Sequence, residues 1–244
     1  MICDYRCTDE ELKNCVRLWK GDLMRRVLIT GGSRGIGKAI AEKFAANGYQ
    51  VTAPARVELN LEDSASIKEF INDYKDIYFD TIINNAGCND INIIDQIKDD
   101  EIDRMMAVNL ITPIKLIRGF VRKMKENKYG RIVNIGSIWA VVSKEGRTIY
   151  SATKNGIHGV TNTLSVELAA HNILVNTVCP GFTLTEMTKK NNSPDAIVEI
   201  VKNIPIGRMA EPKEIAEAVF FLGHETNTYI TGQKLVVDGG FTGK

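Results

Sequence analysis

The chain has 244 residues, of which 44% are hydrophobic and 25% charged, and its formal net charge is +1. This composition is typical of a folded globular protein, and a net charge near zero argues against a broad electrostatic grip on nucleic acid or on an anionic membrane. The length suits one α/β domain, and no apolar run approaches the ~20 residues of a bilayer-spanning helix.

The first residues differ from the rest of the chain. Segment 1–24 lacks the basic start and apolar stretch of a secretory signal, and the five scattered cysteines of the chain fit free thiols in a reducing cytosol. We therefore expect a cytoplasmic protein without a metal site. Two interpretations of this extension stay open. In the first, Met24 is the true start, because the codons for Lys20-Gly21-Asp22 can contain a ribosome-binding sequence. In the second, residues 8–19 form a short amphipathic helix that packs on the domain.

From residue 26 onward, short apolar runs alternate with helical patterns, which is the signature of βαβ units and a parallel sheet. The predicted strands are 27–30, 49–53, 57–59, 81–84, 131–135, 174–178 and 234–237. The predicted helices are 35–47, 99–126, 149–170 and 212–222, with an irregular helical lobe at 184–202. Because no linker or repeat interrupts this alternation, we predict a single domain over residues 25–244.

The segment after the first strand is rich in glycine. Residues Thr30–Gly37 read TGGSRGIG and lead into the first helix, at the place where parallel sheets bind dinucleotides. Glycine lets the backbone approach a pyrophosphate, and the free N–H groups of a helix start attract its charge. A glycine-rich turn alone is a weak indication, but the Gly-x-x-x-Gly-x-Gly spacing is narrower. The predicted cofactor contacts here are Gly31, Ser33, Arg34, Gly35, Ile36 and Gly37.

The end of the second strand predicts which dinucleotide binds. An NAD site usually has a carboxylate there, whereas the 2′-phosphate of NADP needs cations. This chain has no acidic residue until Glu58, and Arg34 and Arg56 are placed to share a phosphate. The alternative is that both arginines are ordinary solvated side chains. The pattern therefore favours NADP, with NAD as the second choice.

A tyrosine and a lysine mark the reacting end. Tyr150 and Lys154 are four residues apart on a predicted helix, so their side chains share one face. A tyrosine normally titrates near ~10, and a neighbouring ammonium is expected to lower that pKa. Such a pair is often an ordinary surface pair, but Ser137 at the end of a strand can polarise the same carbonyl. Asn109 lies within a predicted helix, where asparagine is unfavourable unless its side chain has a role.

Six motifs along residues 26–244 resemble, in their order, those of the short-chain dehydrogenase/reductase family. They are Thr30–Gly37, Asn84–Gly87, Asn109, Ser137, the Tyr150/Lys154 pair and Pro180-Gly181. The resemblance implies an α/β Rossmann fold, a doubly wound, seven-stranded parallel sheet with helices on both faces. It implies that Tyr150 donates the proton and that Lys154 activates Tyr150 and holds the nicotinamide ribose. It also implies that Ser137 orients the substrate and that Asn109 holds a water. It also implies cofactor contacts from Asn60, Leu61, Asn85, Ala86, Gly87, Tyr150, Lys154, Pro180, Gly181, Thr183 and Thr185.

Within the family, segments 130–135, 180–182 and 230–240 resemble the 3-oxoacyl-[acyl-carrier-protein] reductases, which implies a homotetramer, or else a dimer. The usual helix is missing between Arg56 and Asn60. The two basic positions that dock the carrier protein are Lys128 and His171 here, and a largely neutral imidazole keeps less charge than arginine. Carrier-protein docking is therefore in doubt.

Three functions are compatible with these motifs. The first is NADPH-dependent reduction of a 3-oxoacyl thioester, and the second is the same chemistry on a sugar, polyol, cyclic ketone or other secondary alcohol. The third is a non-catalytic NADP-binding sensor or scaffold. No metal is expected, because Ser137 and Tyr150 together can polarise the carbonyl of a small-molecule substrate. The predicted pocket residues are Asn89, Ser137, Ile138, Trp139, Val141, Phe182 and Met187.

Overall fold

The computed structural model of the protein describes residues 24–243, so the predictions for segment 1–23 lie outside the described residues. The strands are β1 (Arg26–Ile29), β2 (Gln50–Thr52), β3 (Thr81–Asn84), β4 (Gly130–Ile135), β5 (Ile173–Pro180) and β6 (Lys234–Val237). The α-helices are α1 (Gly35–Ala46), α2 (Ser64–Asp73), α3 (Asp99–Met106), α4 (Thr112–Asn127), α5 (Thr148–Leu168), α6 (Glu186–Asn191), α7 (Pro194–Lys202) and α8 (Pro212–Gly223). None of these helices is long and apolar enough to cross a membrane.

All strand pairs of the sheet are parallel, in the order β2-β1-β3-β4-β5-β6. The chain moves outward from β1 to β2 and then returns to form β3 on the other side of β1. The strand order therefore reverses between β1 and β3. A reversal of this kind opens a crevice at the carboxyl ends of the strands, where such folds bind their ligands.

The buried strand residues alternate between the two faces of the sheet. Leu28, Ile82 and Ile132 face a core formed with helices α2 and α4. Val27 and Ile83 face the opposite core, formed with α1 and α8. Because successive strand side chains point to opposite faces, continuous apolar runs such as that of β1 are buried on both sides. The predicted doubly wound Rossmann architecture is confirmed.

The predicted number of strands is wrong: the described residues form six, not seven. Val57–Leu59 is a turn, in which the amides of Glu58 and Leu59 both donate to the Ala55 carbonyl. Only Leu59 is buried, and Val57 is almost fully exposed. A run this short cannot be distinguished by pattern from a turn that buries one anchor residue. No helix lies between Arg56 and Asn60, as predicted.

The crossover from β2 to β3 contains a helix that the sequence analysis did not predict. In α2, Ile67 and Phe70 are buried, and Asp63 caps the helix by accepting from the Ala65 amide at 2.8 Å. The capping aspartate and the apolar spacing were a readable signal in the sequence. The helix covers the sheet face beside α4.

The predicted helix 99–126 is present but interrupted. Ala107–Ile111 forms a π-helical turn between α3 and α4. Such turns insert an extra residue into a helix and occur often at functional sites. Asn109 lies within this turn and is only 2% exposed.

Candidate active site

The glycine-rich loop is fastened to the end of β3. The Thr30 hydroxyl accepts from the amides of Asn85 and Ala86 at 3.1 and 3.0 Å. In return, Asn85 Nδ2 donates to the carbonyl oxygens of Thr30 and Gly31 at 2.9 and 3.2 Å. These four bonds hold the two carboxyl-end segments at the reversal point in one fixed arrangement.

Two glycines of the loop are required by close backbone approach. A Cβ on Gly37 would stand 2.1 Å from the Gly31 carbonyl oxygen and 2.4 Å from Asn85 Nδ2. Gly31 has φ of +67°, and its Cβ would meet Ala86 Cα at 3.0 Å. The start of α1 and the loop before it are therefore packed backbone against backbone. This leaves a smooth cradle at the N-terminus of a helix, which is suited to a pyrophosphate.

The arginines at the adenosine edge already have acidic partners. Arg34 forms an ion pair with Glu186 of α6 at 2.7 Å, and Arg56 pairs with Glu62 at 3.0 Å. All four side chains are well exposed, and exposed ion pairs contribute only ~0–1 kcal/mol. A phosphate can therefore displace either carboxylate at small cost. The acid nearest to β2, Glu58, is occupied with the Ala55 amide at 2.7 Å.

Asn60 and Leu61 stabilise the adjoining loop. The Asn60 amide donates to the Ser66 hydroxyl at 3.0 Å, and its side-chain oxygen accepts from the Glu62 amide at 3.2 Å. The Leu61 carbonyl accepts from the Thr112 hydroxyl of α4 at 2.8 Å. Neither residue lines the main cleft, so their predicted contacts with adenine stay a prediction.

Ser137 and Tyr150 meet at the reacting end. Ser137 lies two residues after the end of β4, and its hydroxyl accepts from the Trp139 amide at 3.2 Å. Ser137 and Tyr150 both line the cleft, and Ser137 opposes the upward shift of the Tyr150 pKa. Strand β4 and helix α5 thus bring two hydroxyl groups to one wall of the cleft, where both can reach the same oxygen of a substrate.

The expected low pKa of Tyr150 is not found. Burial raises the pKa of Tyr150 to about 12, although the Ser137 hydroxyl and the charge of Arg147 oppose this rise. Lys154 Nζ lies 5.5 Å from the centre of the Tyr150 ring and does not offset the desolvation. The phenol is therefore protonated at neutral pH, as a proton donor must be.

Lys154 is a buried ammonium behind the tyrosine. It is only 3% exposed, and Nζ donates to the carbonyl of Ile135 at 2.7 Å. Burial lowers the pKa of Lys154 to about 8. Loss of the proton near this pH would remove the positive charge that a ribose hydroxyl or a phenolate would use.

The depressed pKa of Lys154 predicts a pH-dependent stability. Between pH ~8 and ~10.5 the unfolded chain binds more protons than the folded chain, so the free energy of unfolding rises with pH. Relative to Lys154→Met, we expect the wild type to gain on the order of 2 kcal/mol from pH 8 to pH 10. Denaturant unfolding of both proteins at each pH measures this difference. A constant difference across that range would contradict the assignment.

Asn109 is a positioning residue behind the cleft. Its side-chain oxygen accepts from the Cys88 amide at 2.9 Å, and Nδ2 donates to the Cys88 carbonyl and to Thr153 Oγ1 at 2.9 and 3.2 Å. A Cβ on Gly87 would lie 3.3 Å from Asn109 Oδ1 and 3.6 Å from Lys154 Nζ. Asn109 therefore joins the segment after β3 to α5. Its predicted role in holding a water stays a prediction.

The end of β5 forms the opposite wall. Gly181 packs so closely that an added Cβ would lie 2.7 Å from Asp238 Cα, so a larger residue would displace the loop after β6. Thr183 is buried, and its hydroxyl donates to the Gly181 carbonyl at 3.1 Å. Thr185 caps α6 by accepting from the Thr188 amide at 3.3 Å. The hydroxyls of Thr183 and Thr185 thus stabilise the backbone where the helical segment 184–202 begins.

Most of the predicted residues line one cleft. The predicted residues in it are Gly31, Ser33, Arg34, Gly35, Ile36, Gly37, Asn85, Ala86, Gly87, Asn89, Ser137, Ile138, Trp139, Tyr150, Lys154, Pro180, Gly181, Phe182, Thr183, Thr185 and Met187. Asn109, Val141, Arg56, Asn60 and Leu61 are not part of its lining. Among the described residues, no group of three or more His, Cys, Asp and Glu side chains is arranged to hold a metal ion.

The sequence analysis missed several cleft residues. Glu186 pairs with Arg34, and Arg147, Thr188, Asn191 and Asn192 also line the cleft. Arg147 lies directly before α5, three residues before Tyr150, and this proximity was the available signal. Glu186 and the two asparagines come from the 184–202 lobe, where no local pattern distinguishes cleft residues from surface residues.

Comparison with known proteins gives consistent matches. Residues 51–242 match a family model described as enoyl-(acyl carrier protein) reductase. The 3-oxoacyl-[acyl-carrier-protein] reductases of Vibrio harveyi and Haemophilus influenzae are 36% and 37% identical over 87% of this chain, covering 95% and 96% of their own lengths. A solved structure described as an NAD(P)-dependent gluconate 5-dehydrogenase from Beutenbergia cavernae, with NADP bound, is 28% identical. It superposes with a TM-score of 0.86 over 90% of this chain and 97% of that one.

Proposed function

Because this chain belongs to the short-chain dehydrogenase/reductase family of oxidoreductases, we propose that it reduces a carbonyl to a secondary alcohol with NADPH, most specifically a 3-oxoacyl thioester. The observation that carries the proposal is the meeting of Ser137, Tyr150 and Lys154 beside the glycine-rich cradle. The likeness to two 3-oxoacyl-[acyl-carrier-protein] reductases supports the substrate class.

The residues at the reacting end fit a proton-donating mechanism. Bound NADPH would supply the hydride. Ser137 holds the substrate oxygen, and the protonated Tyr150 donates its proton to that oxygen as it gains charge. The Lys154 ammonium stabilises the phenolate that remains and can bind a ribose hydroxyl. Asn109 keeps α5 and the segment after β3 in register, so that these groups stay aligned.

The cradle fits a dinucleotide, because Gly31 and Gly37 let the loop pack against the start of α1 more closely than any Cβ permits, and the N-terminus of that helix lines the cleft. The Arg34 and Arg56 cations, together with the absence of a free carboxylate directly after β2, support NADP over NAD. The NADP-bound structural relative supports the same choice.

We predict that Arg34→Ala raises the KM for NADPH ~10-fold and leaves the KM for NADH unchanged, because a charge-assisted bond to the 2′-phosphate contributes ~1.5–3 kcal/mol. Steady-state kinetics with both cofactors measure this. Arg122→Ala is the matched control, since Arg122 is an exposed arginine paired with Glu126 on α4, remote from the cleft. An equal rise of both KM values would contradict the 2′-phosphate role.

Acetoacetyl thioester is the first substrate to test, with NADPH oxidation as the readout. Rapid turnover would support the thioester reductase. Tight NADPH binding without turnover would favour the second candidate. Turnover is expected to survive a chelator, because the proposed polarising groups are hydroxyls, and chelator-sensitive turnover would contradict this mechanism.

The second candidate is a dehydrogenase or reductase of a sugar, polyol or other secondary alcohol. Lys128 and His171 precede β4 and β5, so they lie at the amino edge of the sheet, opposite the cleft. This separation from the carboxyl edge does not favour docking of a carrier protein beside the cleft. The gluconate dehydrogenase relative also supports this candidate. The non-catalytic alternative is disfavoured because the catalytic set is complete.

We also propose a cytoplasmic homotetramer, with a dimer as the alternative. Strand β6 is an edge strand in the described sheet, and Val166, Phe221 and Leu235 are exposed apolar residues. Contact with another copy would cover such surface. Light scattering after size exclusion gives the mass that tests this, and a monomer would contradict it.

A further inference from the structure

Among residues 24–243, no protein group neutralises a buried guanidinium at the reacting end. Arg147 lines the cleft with Ser137 and Tyr150 and is only 7% exposed. Within residues 24–243, its Nε and Nη1 atoms have no hydrogen-bond partner. Tyr150 is the titratable group whose charge acts on it, and no carboxylate does. Because buried charges in proteins are almost always paired, this one is suited to an anion from outside the chain.

The aromatic surroundings favour a planar anion. The guanidinium lies over the Trp139 ring, with Cζ 5.5 Å from the ring centre. Trp139 is held edge-to-face against Phe182 at 6.1 Å. An arginine covered by an aromatic ring is fixed in orientation, and its fork of N–H groups matches the two oxygens of a carboxylate. A single cation also balances a carboxylate better than a doubly charged phosphate.

Asn89 adds a third unpaired polar atom to the two of Arg147 in the lining of the cleft. Its Oδ1 is buried without a hydrogen-bond partner and lines the same cleft. The segment after Asn89 packs against the residue before Arg147, since a Cβ on Gly146 would lie 2.9 Å from Ile91 Cγ2. The cleft therefore offers unpaired donors and an unpaired acceptor on neighbouring segments, which fits a molecule with both a carboxylate and a hydroxyl.

We propose that Arg147 binds a carboxylate of the substrate, so that the chain acts on small oxo acids and the corresponding hydroxy acids, with Asn89 accepting from a substrate hydroxyl. This inference rests on the proposed hydride transfer and specifies its substrate class. Arg147 lies three residues before Tyr150 and lines the same cleft, so a carboxylate bound to it would lie a few bonds from the reacting carbonyl. Arg147 thus acts as a specificity-determining residue.

The kinetic test compares each acid with its own methyl ester. The probes are acetoacetate and 4-oxopentanoate with their methyl esters, assayed by NADPH oxidation. For the wild type we expect a higher kcat/KM on at least one acid than on its ester. Arg147→Gln should lower that value at least ~10-fold for the acid and leave the ester within ~3-fold, because charged hydrogen bonds are the stronger ones. Arg147→Lys should restore part of the activity on the acid.

Equal losses on acid and ester in Arg147→Gln would overturn the inference, since they would show a structural role or an effect through Tyr150. A wild-type kcat/KM that is higher on both esters than on the corresponding acids would also overturn the inference. If only acetoacetyl thioester is reduced, the acids should be competitive inhibitors of the wild type and not of Arg147→Gln. Acids that do not inhibit the wild type would overturn the inference while leaving the proposed reductase intact.

A binding measurement separates this inference from the proposed function. In the presence of NADP, 4-oxopentanoate should change the fluorescence of Trp139, and the change should disappear in Arg147→Gln. Trp139→Phe is the control that assigns the signal, because the chain has two tryptophans. Saturable binding of the acid, without turnover of the acids, their esters or acetoacetyl thioester, would keep the anion site and contradict the proposed hydride transfer. Absence of any acid-dependent change in the wild type would overturn the anion site.

Discussion

Tyr150→Phe should lower kcat for carbonyl reduction at least ~100-fold, because general acid catalysis typically contributes ~10²–10⁴ in rate. The change removes a single oxygen, the phenol oxygen of a residue that lines the cleft with Ser137. Phenylalanine fills the same space, so the cleft keeps its shape. The Kd for NADPH, measured by titration of its fluorescence, should therefore stay within ~2-fold of the wild type.

Tyr229→Phe is the matched control for this prediction. Tyr229 is 92% exposed and does not line the cleft, so its hydroxyl is not needed for the chemistry. We expect wild-type kcat for this variant. A Tyr150→Phe enzyme with the rate of the wild type would remove Tyr150 from the mechanism, and with it the proton-donating role proposed for the protonated phenol.

Gly37→Ala should weaken NADPH binding at least ~10-fold and lower the stability of the chain. The new methyl group would stand 2.1 Å from the Gly31 carbonyl oxygen and 2.4 Å from Asn85 Nδ2, distances at which the backbone must move. Overpacking costs ~1–3 kcal/mol, and each displaced Asn85 hydrogen bond adds ~0.5–1.5 kcal/mol. These costs lower the free energy of unfolding. NADPH affinity falls because a displaced Gly31 backbone no longer matches the pyrophosphate, and the loss of one charge-assisted hydrogen bond of ~1.5–3 kcal/mol corresponds to at least ~10-fold in affinity.

Gly48→Ala tests whether the effect is specific. Gly48 follows the other end of α1, has φ of +81°, and has no atom within 4 Å of an added Cβ. A left-handed conformation costs a non-glycine residue ~1–2 kcal/mol, so this variant should lose stability without losing NADPH affinity. Thermal unfolding and NADPH titration of both variants measure the two effects. Wild-type affinity in Gly37→Ala would contradict the close-packed cradle.

The sequence by itself determined the architecture and the main residues of the site. Apolar runs buried on both faces identify parallel strands, and the segments directly after β1, β3, β4 and β5 meet at one edge for that reason alone. The amino-acid sequence therefore predicts that the glycine-rich loop, Ser137 and the Tyr150/Lys154 pair lie together. Short elements are harder to predict from sequence. Val57–Leu59 was predicted as a strand and is a turn, because three residues are too few to show a periodic pattern.

The tertiary structure decided the properties that depend on burial and on distant partners. The pKa of Tyr150 moves upward because its desolvation exceeds the influence of nearby charges, and no spacing along the chain reports desolvation. The engagement of Arg34 by Glu186 joins residues far apart in the sequence. Arg147 is an ordinary arginine in the sequence, and only its enclosure against Trp139 without an acidic partner makes it a candidate for binding the substrate. Local patterns fix which side chains reach the carboxyl edge of the sheet, whereas packing fixes which of them are dehydrated, and dehydration sets their chemistry.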